Sequence, residues 1–109
     1  MRFSHQELLA GILATLDGDS FPGDATALQT SFTRMGTEFP LLAALATSDG
    51  AASVAALGAL EQSGVLTQSD GRYMLSDEGR AHCVSSKRTL FNKGDMEQLE
   101  GASRIFTTA

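Results

Sequence analysis

The sequence predicts a mainly α domain with one small β-hairpin and additional C-terminal helices. Three observations carry that expectation. Apolar residues recur at helical spacing in six separate runs. Side chains suited to capping a helix stand at the start of most of those runs: Ser4, Asp24, Ser76. Asp70-Gly71 lies between two short runs of strand character, Leu66-Thr67-Gln68 and Arg72-Tyr73-Met74-Leu75, and an Asp-Gly pair in that setting favours a tight hairpin.

The elements follow in order. Ser4-His5-Gln6-Glu7 has the form of a capping box, with Phe3 and Leu8 placed for a hydrophobic staple. Leu8, Leu9, Ile12, Leu13 and Leu16 then share one helical face, and Gly18 is the expected stop. Phe21-Pro22-Gly23 reads as a turn. Asp24 caps a second helix bearing Leu28, Phe32 and Met35 and ending at Gly36. Thr37 is expected to cap a third, short helix with Pro40 in its first turn and Leu41, Leu42 and Leu45 inside. Ser48-Asp49-Gly50 breaks the chain.

An Ala-rich helix is expected from Ala51 to Ser63, with Val54, Leu57 and Leu60 facing inward. Gly64 stands where a left-handed cap would end it, and Val65 where it would fold back on Leu60. After the hairpin, Ser76 caps a helix whose first turn holds Asp77 and Glu78, complementing the helix dipole, with Ala81, Val84 and Phe91 in period and Leu90 beside them. Asn92-Lys93-Gly94 is a break. A last helix runs from Asp95, in a second capping-box pattern, to Phe106, with Met96, Leu99 and Phe106 as its stripe.

The stretch from Leu57 to Arg80 resembles a winged helix-turn-helix. The parts that carry the likeness are Gly64, the apolar pair Val65-Leu66, the second strand Tyr73-Met74-Leu75, and the capped turn Ser76-Asp77-Glu78-Gly79-Arg80. The resemblance implies a winged-helix domain over residues 1–91 and a helical extension over 92–109, serving either packing or dimerisation. It also implies that the helix before the hairpin, Ala51 to Ser63, is the one presented to a nucleic acid by DNA-binding members.

The charges depart from that use. From Met35 to Gly71 there is no Lys or Arg, while Glu38, Asp49, Glu61 and Asp70 are acidic. Residues 1–71 hold two basic and eight acidic side chains, a net of -6, and residues 72–109 hold six and five, a net of +1, together the -5 of the whole chain. Phosphate contacts need several cations, and base contacts need donors on the reading helix. The candidate nucleic-acid contacts are therefore Arg72 on the wing and Arg80, Lys87 and Arg88 on the following helix. Ala52, Ala55, Ala56 and Ala59, with Gly58, would instead let a second helix approach closely. With Met96, Leu99 and Phe106 of the last helix they form the candidate partner or dimer surface.

No catalytic or metal constellation is visible. One Cys and two His fall short of a structural zinc set, and adjacent His82 and Cys83 point about 100° apart on a helix. Cys83 lacks a base and an oxyanion site and reads as a small buried hydrophobe. The glycines form no phosphate-binding fingerprint, and Asp17 and Asp19 around Gly18 read as a turn. The single Cys suits a reducing compartment, and no signal peptide or spanning segment is seen, so a cytoplasmic location is expected. The leading expectation is a non-enzymatic regulatory module, without cofactor or metal, that contacts a protein partner or a second copy of itself as a homodimer. The alternative is a small dimeric DNA-binding regulator using the four named cations.

Overall fold

Ser4 starts the first helix as its pattern requires. In the computed structural model, which describes residues 3–16 and 18–108 and the side chains of all of these but Ser48, Asp49, Thr107 and Thr108, its hydroxyl accepts from the Glu7 amide at 3.1 Å. The Glu7 carboxylate accepts from the Ser4 amide at 2.8 Å, completing the box. Helix α1 spans His5–Ala14 and ends at Thr15, before Gly18. Its residues Leu8, Leu9, Ala10, Gly11, Ile12 and Leu13 are all buried. A run buried without interruption means covered sides all round, so α1 is the central helix and not an amphipathic surface one.

Phe21-Pro22, expected in a turn, lies instead in a strand, β1 (Ser20–Pro22). Its partner is far along the chain: Ser20, Phe21 and Pro22 oppose Met74, Tyr73 and Arg72 of β3 in antiparallel register. Pro22 is tolerated because β1 is an edge strand at its last residue. Helix α2 (Ala25–Glu38) is capped by Asp24, which accepts from the Ala27 amide at 3.0 Å. It does not stop at Gly36. There the following segment crosses so closely that an added Cβ would collide with Ala46, and glycine is what permits the helix to continue past the crossing. Thr37, expected to cap a new helix, is inside α2 and donates to the Thr33 carbonyl.

Pro40–Gly50 is wound as a 3₁₀ segment, not as a short α-helix, with Leu42 and Leu45 buried three positions apart. Three is the period of a 3₁₀ face. Of the expected break at Ser48-Asp49-Gly50, the first two side chains lie outside the described ones, and Gly50 is left-handed at φ 82°. Helix α3 (Ala51–Gln62) ends in a Schellman motif: Gly64 has φ 88°, the Val65 amide donates to the Leu60 carbonyl at 3.0 Å, and the Gly64 amide donates to the Glu61 carbonyl at 3.1 Å.

The hairpin then forms from β2 (Leu66–Ser69) and β3 (Arg72–Leu75), closed by Asp70 at φ 51° and Gly71 at φ 75°. Positive φ at both central residues is the I′ turn that matches strand twist. The sheet is antiparallel in the order β1-β3-β2. Helix α4 (Asp77–Leu90) is capped by Ser76, whose hydroxyl accepts from the Gly79 amide at 2.9 Å and donates to the Gly64 carbonyl at 2.9 Å. Its inward residues are Gly79, Cys83 and, just past its end, Phe91. Ala81 is exposed and Val84 half-buried, so of the expected face only Phe91 is fully inward. Gly79 dictates the rotation of α4, because a Cβ there would strike the Val65 backbone.

The last helix, α5 (Lys93–Thr108), begins before the expected Asp95. Asn92 caps it, accepting from the Asp95 amide at 2.8 Å, while the Asp95 carboxylate accepts from the Asn92 amide at 3.2 Å. The reciprocal pair is thus one turn earlier than the pattern at Asp95 suggests. Leu99, Ala102, Ile105 and Phe106 are buried in the same cluster as Leu9, Phe21 and Phe32. Phe106 stacks on Phe21 at 4.7 Å between centroids and meets Phe32 edge-on at 5.3 Å. Of the two roles expected for the C-terminal helix, packing and dimerisation, these contacts are of the packing kind.

Candidate interaction site

Helix α3 follows the 3₁₀ segment and leads into the hairpin, and its two sides differ in kind. Ser53, Ala56, Leu57 and Leu60 face the core, and the Ser53 hydroxyl, fully buried, donates to the Leu45 carbonyl at 2.9 Å. Ala51, Ala52, Ala55 and Gln62 are exposed, and Gly58 and Ala59 lie half-exposed between them. Positions 51, 55, 58 and 62 form one row on a helix. Around Gly58 a Cβ would meet nothing within 4 Å, so the middle of that row is open. The outward face carries only small side chains from Ala51 to Ala59 and ends at Gln62, with the half-exposed Glu61 at its edge. Of the four alanines expected to offer a partner surface, Ala52 and Ala55 are available, Ala59 partly so, and Ala56 is spent in the core at 9% exposure.

The other expected contact residues fare differently. Met96 is half-buried on α5, while Leu99 and Phe106 are sealed in the core at 0% and 1% exposure and offer nothing to a partner. A large apolar side chain missed by the sequence reading stands exposed on the sheet: Met74, at 44%, between Ser20 of β1 and Thr67 of β2. Strand alternation, with Tyr73 and Leu75 inward, is the signal that could have found it.

Of Arg72, Arg80, Lys87 and Arg88, two share a recess: Arg80 and Arg88 border the same open groove along α4, together with Asp77 and Ser85. Arg72 reaches across to β1 and donates to the Ser20 hydroxyl from Nε at 3.3 Å and Nη2 at 3.2 Å. Arg80 pairs with the Asp19 carboxylate at 2.7 Å and donates to the Gly18 carbonyl at 2.5 Å. Arg72 thus braces β3 against β1, and Arg80 ties α4 to the α1–β1 connection. Lys87 and Arg88 occupy the last turn of α4, where a cation complements the exposed carbonyls of the helix end.

Ser63, Glu78 and His82 border a recess of about 300 Å³ where α3 meets α4, a trio that invites a relay reading. The Ser63 hydroxyl, however, donates to the Leu60 carbonyl of its own helix, and no hydrogen bond joins the three side chains. A nucleophile without a bound base is not activated. Burial pushes the Cys83 thiol up to about 11, against a smaller opposing pull from Arg80, so it stays protonated at neutral pH. Burial, and secondarily the Glu61 carboxylate, also raise the Tyr73 hydroxyl. Among the described residues no group of three His, Cys, Asp or Glu side chains is gathered, and no buried side-chain polar atom lacks a hydrogen bond. No single helix among them is long and apolar enough to cross a membrane. A scan against protein-family models and searches of curated proteins and of solved structures returned no match.

Proposed function

We propose that the chain is a winged-helix regulatory module that works by protein contact, with the exposed face of α3 as its contact surface. One observation carries the reading: the face that a winged helix presents to its partner is here a row of Ala51, Ala55, Gly58 and Gln62 without a cation. Such a row gives DNA no cation to anchor a phosphate, and its one base-reading side chain, Gln62, stands at the C-terminal end of the helix. It gives a protein helix a surface it can approach to a short interaxial distance. The order of α3, Schellman turn, hairpin and capped α4 supports the winged-helix assignment, as does β1 widening the wing to three strands. The 3₁₀ segment stands where a helix-turn-helix has its first helix.

The DNA-binding alternative retains less than the sequence offered it. Arg72 donates to Ser20 of β1 and Arg80 pairs with Asp19, which leaves Lys87 and Arg88 as the cations best placed to meet phosphate. Titration against mixed-sequence duplex DNA at about 50 mM salt separates the two, since at that salt even non-specific binders hold in the micromolar range. The expected result is no binding. In parallel, a partner captured by the wild-type protein should be lost on Ala55→Arg, with the melting temperature of the variant unchanged. Micromolar DNA binding that weakens on Arg88→Ala overturns the proposal.

A further inference from the structure

The 3₁₀ segment Pro40–Gly50 is unusual in two respects that belong together. It is 11 residues long, whereas 3₁₀ runs beyond three or four residues are uncommon, and its sequence PLLAALATSDG is rich in the strongest α-formers, Ala and Leu. Local preference and observed winding disagree. Something outside the segment therefore holds it, and the hydrogen bonds identify what.

Three helices reach into its backbone. At its start, Gln98 of α5 accepts from the Leu41 amide at 3.0 Å, and one turn along α5 the Phe39 ring lies over Gly101 so closely that a Cβ there would collide with it. In its middle, His5 of α1 donates from Nε2 to the Ala44 carbonyl at 3.1 Å; since a carbonyl only accepts, Nε2 carries the proton. Next to it, Ser53 of α3 donates to the Leu45 carbonyl. Ala44 and Leu45 are consecutive, and in an α-helix both carbonyls would turn to amides four residues on. Here both accept from side chains of other elements, and the Ala44 carbonyl also accepts from the Thr47 hydroxyl of its own segment at 2.7 Å. At the far end Gly50 packs against Phe32 and Gln29 of α2 in its left-handed conformation.

We infer that Pro40–Gly50 is a two-state segment, held as 3₁₀ by Gln98, His5 and Ser53, whose rewinding to α couples α5 to the exposed face of α3. Eleven residues span about 22 Å as 3₁₀ and about 16 Å as α, so rewinding shortens the connection by roughly 5 Å and turns the helix that follows it. A partner that draws the Gln98 side chain away from the Leu41 amide, with α5 still seated in the core, thereby moves Ala52 and Ala55 without touching them. The coupling stands whether the α3 face meets a protein or a nucleic acid, since it concerns how that face is held.

Two measurements on the full chain test it. In the wild-type protein, NMR cross-peaks of the αN(i,i+2) type are expected through residues 41–47, and relaxation dispersion is expected to show one common exchange process at these residues and at Ala52 and Ala55. In Gln98→Leu combined with His5→Leu, αN(i,i+4) cross-peaks should replace the (i,i+2) set, with shifts at Ala52 and Ala55. Gln98→Glu, which keeps an acceptor for the Leu41 amide, should retain the wild-type pattern. Flat dispersion profiles in the wild type, (i,i+4) peaks already present there, or (i,i+2) peaks surviving in the double variant each overturn the inference. The wild-type measurement decides the matter even if the double variant does not fold.

Discussion

Removing the ring of Phe106 is the sharpest test of where α5 belongs. The ring is 1% exposed, stacks on Phe21 at 4.7 Å and meets Phe32 edge-on at 5.3 Å, so Phe106→Ala deletes a large core side chain and two aromatic contacts together. Phe→Ala at such a site costs about 3–5 kcal/mol, against a total of roughly 5–15 kcal/mol for an ordinary domain. With a urea m-value of about 1–3 kcal/mol/M for a small protein, the midpoint should fall by at least about 1 M. The assay is equilibrium urea unfolding followed by circular dichroism at two protein concentrations, so that any contribution of self-association is visible. An α5 that left the core to serve only as an interface would carry an exposed Phe106, and a surface substitution stays within about 0.5 kcal/mol. A midpoint shift below about 0.3 M would therefore refute the placement of α5 in the core.

Two glycines of α3 and its end should respond with opposite signs. Gly58→Ala adds a methyl to open space in a helix interior and should stabilise by about 0.5–1 kcal/mol, whereas Gly64→Ala meets no neighbour but must hold φ 88° and should destabilise by about 1–2 kcal/mol; paired thermal melts check the signs. Ser4→Ala removes one half of the α1 capping box and should cost about 1 kcal/mol in the same assay. Cys83, raised from an ordinary 9.0 to about 11, stays protonated in the fold while the unfolded thiol ionises. Its contribution to stability is thus complete below pH 9 and is lost as pH rises from about 9 to 11, and Cys83→Ala should flatten that decline in a pH series of urea midpoints.

What was legible in the sequence was what neighbours in the chain decide. The Ser4–Glu7 box, the Asp24 and Ser76 caps, the Gly64 Schellman turn and the Asp70-Gly71 hairpin each depend on a few adjacent residues, and each is found where its residues stand. What was not legible was decided at a distance. Phe21-Pro22 becomes a strand only because Tyr73 and Arg72 lie beside it. Thr37 and Gly36 stay helical because Ala46 crosses at Gly36. The inward face of α4 is set by Gly79, whose lack of a side chain no search for Leu, Val and Phe registers, and it carries the Cys83 that the sequence does mark as buried. For the candidate site the same division holds. The absence of cations on α3 could be read directly, but Arg72 and Arg80 are occupied by Ser20 and Asp19, 52 and 61 positions away, which no local pattern shows.

The seating of α5 against α1 also bears on how the chain is made. The Thr15 hydroxyl donates to the Leu99 carbonyl across 84 positions, and Phe21 finds its cover in Phe106. At ribosomal rates of roughly 5–20 residues/s, on the order of 4–17 s pass between the emergence of residue 21 and that of residue 106. For that interval Gly11, Thr15 and Phe21 have been synthesised without the helix that covers them. Nascent α1 is thus a sticky apolar segment in need of shelter, and folding is timed by the arrival of the last helix rather than by the first.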